Sequence, residues 1–169
     1  MISLLVVRHA IAVDADVYAR DHNDDDLRPL TKDGRERMDR AARGLARIAP
    51  PIVTLASSSL VRAVQTADIL APHFAPAERV QTDALAPGEK PAKLLQWLRA
   101  RRPSGAVAIV GHESHLGSLV SWLLASSDTP FVELKKGGAC LVEFPGDLRA
   151  GSAMLRWVLT PAQLRRLGA

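Results

Sequence analysis

The sequence predicts an α/β fold: a three-layer sandwich with a mostly parallel central sheet, helices on both faces and an antiparallel hairpin at the C-terminal edge. Three observations predict it. Residues 2–7 and 106–110 are nearly continuous aliphatic runs, as in strands buried on both faces of a parallel sheet. Each run is followed by a helical pattern, so strand and helix alternate along the chain. Two more apolar runs, residues 139–144 and 153–159, flank Pro145-Gly146-Asp147 turn chemistry and read as an edge hairpin.

The elements follow in order. The first strand ends in Arg8-His9. Residues 14–29 are rich in Asp and poor in apolar side chains, a loop with room for a short helical turn. Thr31 is an N-cap, and Met38, Ala41, Ala42, Leu45 and Ala46 follow at the spacing of a buried helical stripe. Pro50-Pro51 stops that helix, and residues 52–56 make a short strand. Ser57-Ser58-Ser59 is placed to cap a helix starting near Leu60, with Leu60, Val64 and Ala67 as its apolar stripe. Residues 80–82 read as a short edge strand, residues 86–91 as a Pro/Gly loop, and Leu94, Leu95 and Leu98 as the face of another helix. The strand at 106–110 ends in Gly111-His112 and leads into a helix carrying Leu116, Leu119, Val120, Leu123 and Leu124. No linker or repeat divides the sequence, so residues 1–169 are expected to form a single domain.

Composition narrows the function classes. Hydrophobic residues make up 47% and charged residues 24%, ordinary for a globular chain, and aromatics are scarce at 4%, so Leu, Val, Ile and Ala must build the core. Cys140, the only cysteine, lies in an apolar run and reads as a buried structural thiol that forms no internal disulfide. The N-terminal apolar run is too short for a signal peptide, and no stretch reaches the length of a membrane span. A cytoplasmic protein is expected. The net charge of +4 favours anionic partners only weakly. Without a basic block, zinc-finger spacing or interleaved aromatics, nucleic-acid binding is not expected. Trp97, Trp122 and Trp157 are scattered and fit packing better than base stacking.

Ligands of open parallel sheets lie beyond the carboxyl ends of the strands, so His9 and His112 are placed to meet in one site. Arg62 sits in the first turn of its helix, opposite the apolar stripe, where a cation is mildly unfavourable for the helix dipole. Local stability therefore does not explain it. Arginines and imidazoles gathered at strand ends suit a dianion, because guanidinium matches phosphate oxygens in a bidentate fork and helix N-termini add N–H donors. One histidine at a strand end is ordinarily a structural hydrogen-bonder. His9, Arg62 and His112 in these contexts together favour function. Arg28 has two readings, anion ligand or anchor of its loop, and Ser58 likewise offers a hydroxyl to phosphate or caps a helix. His112 and His115 have no third partner at metal-ligand spacing, so no metal is expected. His115 is read as a surface residue or a support behind the site, Asp24-Asp25-Asp26 as a solvated loop, and His22 and His73 as surface residues.

The order of elements, with Arg8-His9-Ala10, Arg62-Ala63-Val64-Gln65-Thr66 and Val110-Gly111-His112, resembles the histidine phosphatase superfamily, which includes cofactor-dependent phosphoglycerate mutases. Leu27-Arg28-Pro29-Leu30-Thr31-Lys32-Asp33-Gly34 is similar to the signature of its SixA-type phosphohistidine phosphatases. The resemblance implies a phosphoglycerate mutase-like fold without a cap domain. It also implies a nucleophilic His9 that is transiently phosphorylated, with Arg8, Arg62 and His112 on the phosphoryl oxygens and Arg28 joining them. The reaction would be a two-step hydrolysis needing no metal or other cofactor. The implied partner is a phosphohistidine-containing protein, such as a phosphotransfer domain. The alternatives are a broad-specificity phosphomonoesterase acting on small phosphate esters, and a non-catalytic phosphate-binding module.

Many members of the superfamily carry an acid after the third strand to protonate the leaving oxygen. Here that stretch is Asp83-Ala84-Leu85-Ala86-Pro87-Gly88-Glu89, and its expected slot is apolar or proline. Glu89 and Glu113 are the candidate general acids, with Asp83 nearby. A phosphoramidate substrate needs such an acid less, because imidazole leaves more readily than an alkoxide.

Overall fold

The computed structural model describes residues 1–169. Its helices and strands are β1 (Ile2–Arg8), α1 (Ala15–Ala19), α2 (Lys32–Ile48), β2 (Ile52–Ser57), α3 (Val61–Leu70), β3 (Glu78–Gln81), α4 (Pro91–Arg101), β4 (Ala106–Gly111), α5 (His115–Ala125), β5 (Ala139–Phe144), β6 (Met154–Leu159) and α6 (Pro161–Leu167). The strands form one sheet in the order β3-β2-β4-β1-β5-β6. The first four are parallel, whereas β5 runs antiparallel to β1 and β6 antiparallel to β5. The mixed sheet and its edge hairpin agree with the sequence expectation.

Successive side chains of a strand point to opposite faces, and the two cores show this directly. Leu5 and Val7 of β1 join Ala108 and Val110 of β4 in one core, closed by Met38, Ala41 and Leu45 of α2, Ala63, Ala67 and Leu70 of α3, and Leu164 of α6. Leu4 and Val6 join Val107 and Ile109 in the other, closed by Leu94, Leu95 and Leu98 of α4 and Leu116, Leu119, Val120 and Leu123 of α5. Cys140 is buried in this second core, where desolvation pushes its thiol up to about 12, as expected of an unreactive cysteine. The three tryptophans are partly buried against the two cores.

Four local readings are corrected. Ala46 is exposed, and Gly44 takes its place in the buried stripe of α2. The cause is α6, which the sequence reading did not include. A Cβ on Gly44 would lie 2.0 Å from the carbonyl oxygen of Leu164, so only glycine lets α2 and α6 approach this closely. Ser57-Ser58-Ser59 does not cap α3, whose N-cap is Leu60 with no side-chain cap bond. The buried residues of α3 are Arg62, Ala63, Thr66, Ala67 and Leu70, so Val64 is not in the stripe and Arg62 is turned inward. His115 is buried, which removes the surface reading and leaves the one that places it behind the site. No helix is long and apolar enough to cross a membrane.

Candidate active site

Strand register builds the site. Arg8 at the end of β1 lies opposite Gly111 at the end of β4, and the His9 N–H donates to the Gly111 carbonyl at 3.0 Å. His9 and His112 therefore leave the sheet side by side, with ring centroids 5.2 Å apart and planes tilted by 51°. Ser57 of β2 pairs with Val110, and the Ser58 N–H donates to the Val110 carbonyl at 3.3 Å, bringing a third strand end to the same place.

His9 is held in one tautomer. Its Nδ1 lies 2.7 Å from the Ala10 carbonyl oxygen, which can only accept, so Nδ1 carries the proton and Nε2 presents its lone pair. The Ala10 N–H in turn donates to Thr66 Oγ1 at 3.0 Å, and the Thr66 hydroxyl donates to the Arg62 carbonyl at 2.7 Å. Gln65 Oε1 accepts from the Leu30 N–H at 2.8 Å. The Gln65-Thr66 pair of α3 thus ties both sides of the β1–α2 loop. Gly34 serves the same loop: a Cβ there would meet the Ile11 carbonyl oxygen at 2.1 Å.

The electrostatics keep both imidazoles neutral. Burial, aided by Arg62 and Arg8 and opposed by the Ala10 hydrogen bond, lowers His9 to about 4. Burial first, then the proximity of His9 and Arg62, lowers His112 to about 3. The Ser58 hydroxyl lies 2.6 Å from His112 Nε2, which shows why this serine does not cap α3. Arg8 donates through Nη1 to the Leu134 carbonyl at 2.8 Å. Arg8 Nε, Arg62 Nε and His112 Nδ1 are buried without a hydrogen-bond partner in the protein, as are Ser57 Oγ and both ring nitrogens of His115.

Arg28 belongs to the same neighbourhood through Asp25, which the sequence reading left in a solvated run. The Asp25 carboxylate accepts from Arg28 Nε at 2.7 Å and from Arg62 Nη2 at 3.2 Å, while its backbone carbonyl accepts from Arg62 Nη1 at 3.0 Å. The hydrogen bond from Arg28, more than any other influence, holds its carboxyl below the usual range. Arg28 also anchors its loop, donating from Nη1 to the Val13 carbonyl at 2.8 Å. These contacts show the anchor reading of Arg28. The Asp25-x-x-Arg28 spacing is the signal that could have found this pair.

The acid candidates are placed elsewhere. Glu89 accepts from Lys93 Nζ at 2.8 Å and lines a separate cavity. Glu113 is half-buried, and desolvation raises its carboxyl above the usual range. One of its oxygens would lie 2.8 Å from a Cβ on Gly117, so the group rests against α5. Asp83 is exposed in a short turn. His22 is exposed and stacks on Tyr18, whereas His73 faces Asp39 at 3.2 Å. No group of three or more His, Cys, Asp and Glu side chains is arranged to hold a metal ion.

What remains is a cluster with a lone-pair nitrogen, two guanidinium groups whose Nε atoms lack partners and a second neutral imidazole, suited to transfer of a phosphoryl group. Comparison with known proteins agrees. The profile of the histidine phosphatase superfamily (branch 1) matches residues 4–86. An uncharacterized protein of Picosynechococcus is 31% identical over 156 residues, covering 90% of this chain and 88% of the relative. The structure of the protein histidine phosphatase SixA complexed with tungstate is similar, with a TM-score of 0.80 and 21% identity over 96% of this chain and 99% of that one. A phosphoserine phosphatase of Entamoeba histolytica, solved with phosphoserine, has a TM-score of 0.71 and 15% identity over 97% of this chain and 100% of that one. At these identities the two structural likenesses show a shared fold.

Proposed function

This chain belongs to the histidine phosphatase superfamily, branch 1, and from that premise we propose that it hydrolyses phosphohistidine on a partner protein through a phosphoryl group carried by His9. Membership implies a phosphatase; the protein substrate and the covalent step are our reading. One observation carries it: the His9 tautomer leaves Nε2 unprotonated in a group with Arg8, Arg62 and His112, whose Nε, Nε and Nδ1 atoms are not satisfied by the protein.

The chemistry follows from those atoms. The Nε2 lone pair attacks phosphorus while Nδ1 keeps its proton and donates it in a hydrogen bond to the Ala10 carbonyl, so phospho-His9 forms as an imidazolium held by that carbonyl. Arg8 and Arg62 spread the charge of the equatorial oxygens and screen the approach of the nucleophile. The bond from phosphorus to the leaving nitrogen breaks, its electron pair stays on that nitrogen, and the substrate ring, protonated on its other nitrogen, departs as neutral imidazole. Water then attacks phosphorus, the bond to Nε2 breaks with its pair on that nitrogen, and inorganic phosphate carries off both water protons while His9 returns to the neutral Nδ1–H imidazole.

The substrate class is supported by the surroundings. The side chains of Glu89, Glu113 and Asp83 form no hydrogen bond with His9 or His112, whose ring partners are the Ala10 carbonyl and Ser58, so a substrate with a good leaving group suits this site best. The segments bordering it carry only α1 and single helical turns, which leaves room for a histidine presented on another protein. The test compares kcat/KM for a phosphohistidine peptide, a phosphoserine peptide and p-nitrophenyl phosphate. The peptide with phosphohistidine should be turned over fastest. Faster turnover of either ester would keep the chemistry and reassign the substrate to phosphomonoesters. Vanadate binding without turnover of any of the three would replace the enzyme with a phosphate-binding module.

A further inference from the structure

We infer that the cavity between α2, α6 and the segment before β5 docks an acidic segment of the partner protein, one that inserts an apolar side chain among basic residues. The inference rests on the phosphohistidine reading and states the chemistry of the chain around the phosphohistidine. The cavity has a volume of about 380 Å³. Met38 and Ala41 of α2, both 1% exposed, form its floor, and Pro161 and Ala162 of α6 continue the apolar lining. Arg37, Lys135, Lys136 and Arg165 stand around it, the first three exposed and Arg165 half-buried. No acidic residue lines it.

An apolar floor inside a cationic rim selects its occupant. Of the acids nearest in sequence, Asp33 pairs with Arg37 at 2.8 Å, Glu36 lies 3.9 Å from Lys32, and Glu133 is exposed outside the lining. The terminal residue Ala169 is held by Arg47. Arg37 is therefore largely neutralised, whereas Lys135, Lys136 and Arg165 form no salt bridge and remain uncompensated. Such a group attracts anions over a Debye length, about 8–10 Å at ordinary ionic strength. An inorganic anion would leave the floor unfilled, and an apolar side chain alone would gain nothing from the rim. Acidic residues flanking one large apolar side chain satisfy both.

The place of the cavity in the fold suits a partner that presents a phosphohistidine. Strand β1 lies between β4 and β5. The His9 ring meets His112, which follows β4, whereas the cavity lies on the other side of β1. There Ala10 and Ile11 leave β1, residues 135–137 lead into β5, and Thr160 follows β6. One segment joins the two places. The Leu134 carbonyl accepts from Arg8 Nη1 at 2.8 Å, and the Gly137 N–H is shared between the carbonyls of Arg8 and His9 at 3.2 and 3.1 Å. Between these anchors Lys135 and Lys136 line the cavity. A chain seated there is held against the segment that fixes Arg8 and His9, and it leaves the His112 side open to the phosphohistidine.

Kinetics and a binding titration test this. Two phosphohistidine peptides of equal length are compared, one with Asp, Glu and Leu on both flanks, the other with Gln and Ser in their place. The wild type should turn over the acidic peptide with a KM about tenfold lower, the effect expected of three exposed charge contacts. The triple variant Lys135→Gln, Lys136→Gln, Arg165→Gln should erase that difference. Its turnover of p-nitrophenyl phosphate should stay within about twofold of the wild type, since that ester does not reach the cavity. No preference in the wild type, a preference that survives the triple variant, or an equal loss on the ester would overturn the docking site. The unphosphorylated acidic peptide, titrated into the vanadate-bound wild type, should shift the Met38 methyl resonance saturably. No shift overturns docking while leaving the phosphatase reading intact, and a shift with octanoate alone overturns it in favour of a free carboxylate. If the wild type turns over neither phosphohistidine peptide, the functional reading fails, and the Met38 titration alone decides the cavity.

Discussion

Asp25 grips Arg62 twice, with its backbone carbonyl 3.0 Å from Nη1 and its carboxylate 3.2 Å from Nη2. The same carboxylate takes Nε of Arg28 at 2.7 Å, so one acidic residue aims two arginines that would otherwise repel each other. Its opposing charge is the smaller effect on an anion, because the carboxylate is neutralised by the pair it holds. Asp25→Ala should therefore weaken vanadate binding by about threefold to tenfold, the range for a partly exposed charged contact. Calorimetric titration checks this, and tighter binding would show that Asp25 acts as a competing anion instead.

Thr66 is buried and links His9 to Arg62 through the Ala10 N–H and the Arg62 carbonyl. Thr66→Val keeps the shape and removes the acceptor, leaving a buried N–H unpaired. Stability should fall by about 1–3 kcal/mol, and kcat should fall with it as the Ala10 carbonyl loses its fixed position. Denaturant unfolding and steady-state kinetics read the two effects; an unchanged kcat would separate the hydrogen bond from the alignment of His9.

Much of this arrangement is legible in the residues, and the gaps have physical causes. Aliphatic runs ending in Arg8-His9 and Gly111-His112 report both the parallel strands and the shared crevice, because a parallel register brings equivalent strand ends together. Asp25 escaped notice because Asp24 and Asp26 flank it, and a run of like charges looks solvated whichever member is paired. The inward face of Arg62 is not legible from any apolar period in α3, because its partner is Asp25, 37 residues away. The helix α6 has a capping box of Thr160 and Gln163 but no apolar stripe to announce it, since only Leu164 of its face is buried.

Gly44→Ala probes that helix directly. The added methyl would overlap the Leu164 carbonyl, and overpacking of this kind destabilises by about 1–3 kcal/mol. Thermal unfolding should show the loss, with amide exchange increased in residues 161–167. Unchanged exchange there would mean that α6 is not held by α2.

Folding stability should also depend on pH below neutrality. An unfolded histidine titrates at about 6.5, whereas burial lowers His9 to about 4 and His112 to about 3. Between these values the unfolded chain binds more protons than the folded one, so stability is fully present above the unfolded value and declines as pH falls through the window. Tm should drop between pH 7 and pH 5, conditions set by that window, and His112→Asn should flatten the slope. A Tm that rises as pH falls would contradict neutral, buried imidazoles. By the same shifts, His9 stays neutral and able to attack throughout this range.

The most direct test of the account is rapid-quench mass spectrometry during turnover of a phosphohistidine peptide. A phosphate should appear on His9 within a single turnover and decay with product formation, and His9→Ala should fold normally but form no adduct and no product. Turnover by His9→Ala, or a phosphate on any other residue of the wild type, would contradict the assignment of His9 as the nucleophile.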